Sequence, residues 1–452
     1  MHVSQSNVAF GCRIVWRMIA APRSQLLGFW MCVALVVGNS IGSGVFLLPA
    51  SLAPYGLNSV VAWGFTAGGA ILLAVVFARL SRAYPAAGGP YAYVRLAFGP
   101  LTAFIVAWGY WISIWVGNAA IATGAVSYLS PLLPWIADVP GASAAVTLLF
   151  LWLLTFVNWY GIRVSGWVQS VTTVLKLLPL LAVALLGLRV LRSSDASAAT
   201  AVPISVSGVT AAATLTLWAM LGLESATIPA DKVANPGRTI PVATLLGTVI
   251  TALVCAFACT TVLLLVPPGT LAESNAPFVD LAAQFWGTGA GKLVAVFASI
   301  SAFGALNGWI LLQGELPSAM AKRGEFPSIF ARESSRRTPG FALCFGSVLV
   351  TLLILTNYQK SMVNIFTFMI LLSTTACLVL YAVCSLALLR LQWKGQLRGA
   401  RQGTLPLAIV GILATAYSLW AIVGAGAQAV LWGAGLLVLG LPLYFWLTRS
   451  AR

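Results

Sequence analysis

Twelve long apolar runs separated by short connectors constrain this chain more than anything else in it. They lie at about 26–50, 57–80, 100–130, 144–162, 166–190, 208–230, 240–266, 288–316, 339–357, 361–389, 405–425 and 428–448. Each can cross a hydrocarbon core of about 30 Å as a helix. Lipid offers no water to free backbone groups, so runs of this kind close their hydrogen bonds internally. The expected fold is an all-α polytopic membrane protein with 12 transmembrane helices. Hydrophobic residues make up 60% of the chain and charged residues 8%, against roughly a quarter charged in a soluble domain. Those proportions exclude a soluble globular protein, a disordered chain and a disulfide-stapled secreted module. A basic segment, 1–25, precedes the first run, but no small-residue cleavage site follows it, so the run reads as a retained span.

The net charge of +16 is explained by where the charges lie. With the N-terminus inside, 20 of the 25 Lys and Arg fall in cytoplasmic segments, from Arg13, Arg17 and Arg23 to Arg449 and Arg452. The outer side holds Arg189, Arg192, Lys292 and Lys360, and Lys176 remains in mid-span. This asymmetry predicts both termini in the cytoplasm. The loop charges are then topogenic, and no nucleic-acid partner is expected.

Several chemistries lack their residues. His2 is the single histidine and lies outside every span, which excludes a histidine proton relay or a His-ligated metal. The seven cysteines form no CxxC pair and read as small apolar residues. No GxxxxGK[ST] phosphate loop is present, which argues against an ATP-driven pump. An enzyme would need ionisable groups clustered at one depth, and only Lys176 and Glu224 are expected inside the membrane. No cofactor is expected.

Two spans carry signs of interruption. The first contains Val37-Gly38-Asn39-Ser40-Ile41-Gly42-Ser43-Gly44-Val45-Phe46, where glycines and serines are poor helix formers. Gly38 and Gly42 could serve packing as a GxxxG pair, but Ser43 and Gly44 go beyond that need. The sixth contains Leu217-Trp218-Ala219-Met220-Leu221-Gly222-Leu223-Glu224-Ser225, with a carboxylate that costs about 2.5–3.5 kcal/mol in a span on insertion scales. Breaks in corresponding spans of two halves point to a transporter with a midplane site. They favour a gated site over an open channel.

These residues resemble a known family. The run Gly38-Asn39-Ser40-Ile41-Gly42-Ser43-Gly44-Val45-Phe46-Leu47-Leu48-Pro49 is similar to the first-helix motif of the amino acid–polyamine–organocation (APC) transporters. Tyr84-Pro85, Gly88-Gly89-Pro90-Tyr91, Phe98-Gly99-Pro100, Asn235-Pro236 and Ala321-Lys322-Arg323-Gly324 look like its loop motifs, in order. Within the superfamily, the closest resemblance is to the bacterial arginine/agmatine antiporters of the basic amino acid/polyamine group. It rests on Asn39, Ser43, Trp115 to Asn118, Trp218, Gly222, Glu224 to Ala226, Gly308-Trp309 and Ser373.

The resemblance implies a five-plus-five inverted-repeat core over 26–389 with broken helices 1 and 6. Two additional helices and a short tail would occupy 390–452. It implies a bacterial inner membrane, often a homodimer, and a small amino acid or amine as substrate. The start of a half-helix at Gly42, Ser43 and Gly44 suits the substrate carboxylate, and freed carbonyls at Ser40 and Trp218 to Leu221 suit its ammonium. By resemblance, Trp309 packs on the substrate's aliphatic part. Asn118, Ser373 and the backbone around Ser113 and Ile114 receive a guanidinium, Trp218 stacks on the charged end, and Glu224 is a proton-sensitive gate.

Lys176 departs from that group. Sodium-independent members elsewhere in the superfamily carry such a lysine, whose ammonium replaces a sodium ion against the broken first helix. Transport is therefore expected to be sodium-independent. An added positive charge near a proposed cation site leaves two substrate expectations open. One is exchange of a cationic amino acid for its amine, arginine/agmatine-like. The other is proton-coupled or exchange transport of neutral or broad-range amino acids.

Overall fold

The computed structural model describes residues 26–129, 132–190, 202–274, 276–357, 362–397 and 405–450. Cys12 and the basic segment before residue 26 lie outside them, as do Arg192, Lys360, Arg398 and Arg401. Among the described residues, eleven helices are long and apolar enough to cross a membrane, and Gly340–Thr356 is a shorter apolar one.

The chain runs through α1 (Phe29–Ser40), α2 (Ser43–Leu52), α3 (Asn58–Ala83), α4 (Pro90–Phe98) and α5 (Pro100–Ser127). It continues through α6 (Ala142–Tyr160), α7 (Ile162–Val190), α8 (Val206–Leu217), α9 (Pro236–Leu265) and α10 (Pro277–Trp286). The last elements are α11 (Thr288–Ala321), α12 (Gly340–Asn357), α13 (Met362–Trp393), α14 (Leu405–Gly424) and α15 (Ala427–Ser450). The expected spans lie on these helices within a few residues, except that α11 continues past its expected end to Ala321 and α8 stops at Leu217, well before the expected end of the sixth span at 230.

Helix α7 shows how a membrane sequence chooses its faces. Val171, Val174, Leu178, Leu181 and Leu185 are exposed, whereas Gln169, Thr173, Lys176, Leu180 and Val183 are buried. Both sets recur at helical spacing, but the polar residues point inward. That inversion fits a helix whose outer face meets lipid and whose inner face meets other helices.

Helix α1 is buried from Cys32 to Ser40, enclosed by α7, α9 and α11. Close packing there depends on small residues. A Cβ at Gly38 would collide with Gln169 and Thr173, and one at Gly247 of α9 would meet Val36 at 2.6 Å. The packing role expected for Gly38 and the break expected just beyond it therefore coexist. Helices α14 and α15 lie to the side, packed on α13 with α3 and α5.

Candidate substrate site

The first span breaks after Ser40. Ile41 is extended, with ψ 90°, and Gly42 has φ −108° and ψ −158°. Helix α2 restarts at Ser43, and among the described residues no side chain caps its first amides. Its N-terminus is thus a bare positive dipole end. The sixth span ends α8 at Leu217, makes one 3-10 turn over Trp218–Met220, and extends at Leu221. Gly222 then takes φ +103°, a left-handed conformation open to glycine. A Cβ there would meet Asn39 at 3.0 Å and Trp309 at 3.2 Å, so the two breaks pack on each other.

Asn39 joins them. Its Nδ2 donates to Ser225 Oγ at 2.9 Å, and its Oδ1 accepts from Gln169 Nε2 at 3.3 Å. Asn307 then donates to Gln169 Oε1 at 3.2 Å, and Asn158 to Asn307 Oδ1 at 3.1 Å. This buried polar chain holds the irregular backbone in one arrangement, and at its end Asn158 Oδ1 is left without a partner among the described residues.

The carbonyls released by the break have identifiable partners. Val37 O accepts from Ile41 N at 2.9 Å. Lys176 Nζ, fully buried, donates to Gly38 O at 2.8 Å and to Ile41 O at 2.6 Å. Trp309 Nε1 donates to Asn39 O at 3.0 Å. In this turn the Ser40 carbonyl is the one for which the described residues supply no donor.

A cavity lies between the breaks. Asn39, Ser40, Gly42 and Gly44 line it from the first span, and Trp218 and Leu221 from the sixth. Ser113, Ile114, Gly117 and Ile121 of α5, Trp309 of α11, and Ser373 and Cys377 of α13 complete it. The cavity is about 20 Å³. That is room for roughly one water, so a free amino acid requires the walls to part. The indole of Trp218 lies where a Cβ on Gly44 would be, so it packs directly on the start of α2.

Glu224 is fully buried beside the cavity. The phenols of Tyr110 and Tyr381 donate to its two carboxylate oxygens. Tyr381 Oη also accepts from Gly222 N at 3.2 Å, which ties the carboxylate to the break in the sixth span.

A second charged cluster follows that span. Lys232 Nζ lies 2.7 Å from Glu315 Oε1 and 2.9 Å from Glu333 Oε1, and Lys322 Nζ lies 2.8 Å from Glu333 Oε1. Burial opposes the Lys232 charge, yet Glu315 and Glu333 outweigh it and raise its pKa. Burial likewise opposes the Glu333 charge, and Lys232 and Lys322 hold its pKa below the usual value. Nearby, Glu325 accepts from Tyr91 Oη and Arg95 Nε, each at 2.5 Å.

Comparison with known proteins agrees with this architecture. The amino acid permease family model matches residues 27–447. The chain belongs to the amino acid permease family. It belongs to the amino acid–polyamine–organocation superfamily, and is a multi-pass membrane transporter rather than an enzyme. The permease is 32% identical to a putative arginine/ornithine antiporter of Bacillus subtilis over 92% of its length and 96% of the relative. It is 31% identical to a putrescine transporter of Haemophilus influenzae over 94% and 97% of the two chains. It is 34% identical to a cadaverine/lysine antiporter of Escherichia coli over 75% and 76%.

The permease brings ten of the expected site residues to the cavity wall: Asn39, Ser40, Gly42, Gly44, Ser113, Ile114, Trp218, Leu221, Trp309 and Ser373. Ser43 is the first residue of α2, and its side chain lies outside the described residues. Asn118 is fully buried one turn along α5 from Ile114, and donates to Gln313 Oε1 at 2.9 Å. The Ser113 carbonyl accepts from Ser373 Oγ at 2.9 Å, so that acceptor is already engaged.

Sequence reasoning missed Tyr110, Gln169, Gln313 and Tyr381, and the Lys232–Glu315 pair. Polar residues facing inward on apolar helices were the available signal. Their partners lie 83 residues away for Lys232–Glu315 and 157 for Tyr381–Glu224.

Proposed function

We propose that this permease exchanges a cationic amino acid for a cationic amine by alternating access, with arginine and agmatine as the specific pair. The observation that carries the reading is the pairing of opposite dipole ends at one cavity. The Ser40 carbonyl is without a donor among the described residues, and the uncapped N-terminus of α2 begins three residues later. A carbonyl suits an ammonium and free amides suit a carboxylate, so the pair fits the zwitterionic end that free amino acids share. The relatives' names add cationic substrates: arginine with ornithine, cadaverine with lysine, and putrescine.

Trp218 supplies a π-face for the distal cation, worth about 0.5–2 kcal/mol, and Trp309 packs on the aliphatic part. Arginine entering at +1 and agmatine leaving at +2 exports one charge, about 2.3 kcal/mol at 100 mV. In this reading the protein sits in a bacterial inner membrane with both termini in the cytoplasm. Lys176 on the Gly38 and Ile41 carbonyls makes the cycle sodium-independent, since its ammonium donors take the place of a metal.

A second reading, exchange of neutral or broad-range amino acids, is favoured by one observation. No carboxylate lines the cavity among the described residues, and Glu224 is turned to two tyrosines. Labelled arginine uptake into proteoliposomes, with and without internal agmatine, separates the readings when unlabelled leucine competes. Uptake that needs internal agmatine and resists leucine supports the cationic exchanger. Leucine competing as well as arginine replaces it with the second reading.

A further inference from the structure

We infer that Gln313 is a positioning residue that sets the polarity of Asn118, so that the site favours side chains ending in hydrogen-bond donors alone. This rests on the reading of the cavity as a cationic amino acid site. The argument is a chain of donors and acceptors that can be oriented in one way. Thr155 Oγ1 donates to the Leu151 carbonyl at 2.8 Å, and a carbonyl can only accept. Thr155 Oγ1, 2.7 Å from Ser347 Oγ, therefore accepts the Ser347 proton. Ser347 Oγ in turn accepts from Gln313 Nε2 at 3.2 Å, and the Leu343 carbonyl accepts from the same nitrogen at 3.2 Å.

With its nitrogen committed, Gln313 presents Oε1 to Asn118. Asn118 must answer with Nδ2, at 2.9 Å. Its Oδ1 is left as a buried acceptor without a partner among the described residues. Amide orientation is decided by such networks, and this one ends on two backbone carbonyls that cannot reverse.

The relay is built into the packing. Asn118, Gln313 and Ser347 are fully buried. Gly346 leaves the space that the Gln313 side chain occupies, and Trp111 Nε1 donates to the Gln313 carbonyl at 3.0 Å. Asn118 shares its stripe of α5 with Ile114 and Ile121, and Gln313 lies one turn beyond Trp309; all three of these neighbours line the cavity. A buried acceptor left open is costly unless something donates to it. An ammonium or a guanidinium presents donors in every orientation, whereas the neutral ureido group of citrulline meets Oδ1 favourably only through its N–H edge and is repelled where its oxygen faces Oδ1.

The test is competition of arginine and of citrulline against labelled arginine in proteoliposomes. Gln313→Met keeps length but removes the fork, so Asn118 can turn, and the preference for arginine over citrulline is expected to fall about tenfold. Gln313→Glu, protonated at this buried position, offers one O–H and one C=O in the same fork and should restore the preference. In an Asn118→Ala background, Gln313→Met should change the preference no further. Should Gln313→Met fail to insert, Ser347→Ala loosens the same relay and should shift the preference in the same direction. A preference unmoved by Gln313→Met, lost equally in Gln313→Glu, or shifted additively in the Asn118→Ala background overturns the inference. A wild-type protein that does not distinguish arginine from citrulline overturns the cationic reading itself.

Discussion

The ammonium of Lys176 donates to the Ile41 carbonyl at 2.6 Å, at the point where the first membrane helix stops being a helix. It also holds Gly38 O at 2.8 Å, so one side chain satisfies carbonyls on both sides of Ser40. Replacing sodium by choline should leave transport unchanged. Lys176→Ala should reduce the exchange rate far more than it changes substrate competition, because the substitution frees the first helix and touches no wall of the cavity. A steep sodium dependence in the wild type would count against this role.

Gly44 has no room for a side chain. The Trp218 indole occupies the place of its Cβ, and overpacking at such a contact costs about 1–3 kcal/mol. Gly44→Val should abolish binding, measured by isothermal titration in detergent, while membrane insertion persists. Wild-type affinity in this variant would mean that the cavity does not run along Gly44.

Glu224 receives two phenolic hydrogen bonds and is bound through Tyr381 to the Gly222 amide. Protonation alters what the carboxyl can accept, so the pH profile of exchange should depend on it. Glu224→Gln keeps the shape, and should flatten the profile while retaining part of the activity. An unchanged profile would relocate the pH sensitivity elsewhere.

The Lys232–Glu315–Glu333 cluster joins the loop after the sixth span to the end of α11 and the loop beyond it. Removing one partner of a buried ion pair costs about 3–5 kcal/mol, whereas replacing both by apolar residues costs far less. Lys232→Met, which leaves buried Glu315 without its cation, should therefore lower thermal stability in detergent more than Lys232→Met combined with Glu315→Leu. Equal losses would show that the charge left unpaired is not the source of the cost.

Glu333 adds a pH dependence whose sign is determined. Its folded pKa is lowered from 4.5 against the cost of burial, by Lys232 and Lys322. The stability it contributes is present above pH 4.5 and is lost as pH falls through the folded value. Lys232 is raised above 10.5, so its contribution is full below that value and disappears only as pH rises through the folded one. Melting curves of wild type and Glu333→Gln should converge in acid and separate at neutral pH. Curves that stay parallel into acid would place the effect in packing.

The sequence by itself determined the elements, because the cost of free backbone groups in lipid turns each long apolar run into a helix. It also located both breaks, since Gly42 and Gly222 stand where a helix is weakest and Ser, Trp and Glu surround them. Tertiary structure alone decided which polar groups meet. Asn39 was legible as a site residue, but nothing local shows its amide turned to Ser225 and Gln169. Asn118 was legible as a polar residue in mid-span, but its orientation is set by Gln313, 195 residues away, and through it by Ser347 and Thr155. A single polar side chain inside an apolar helix announces that it needs a partner. Hydrogen bonds are short and directional, so which partner it has is decided only when the helices pack.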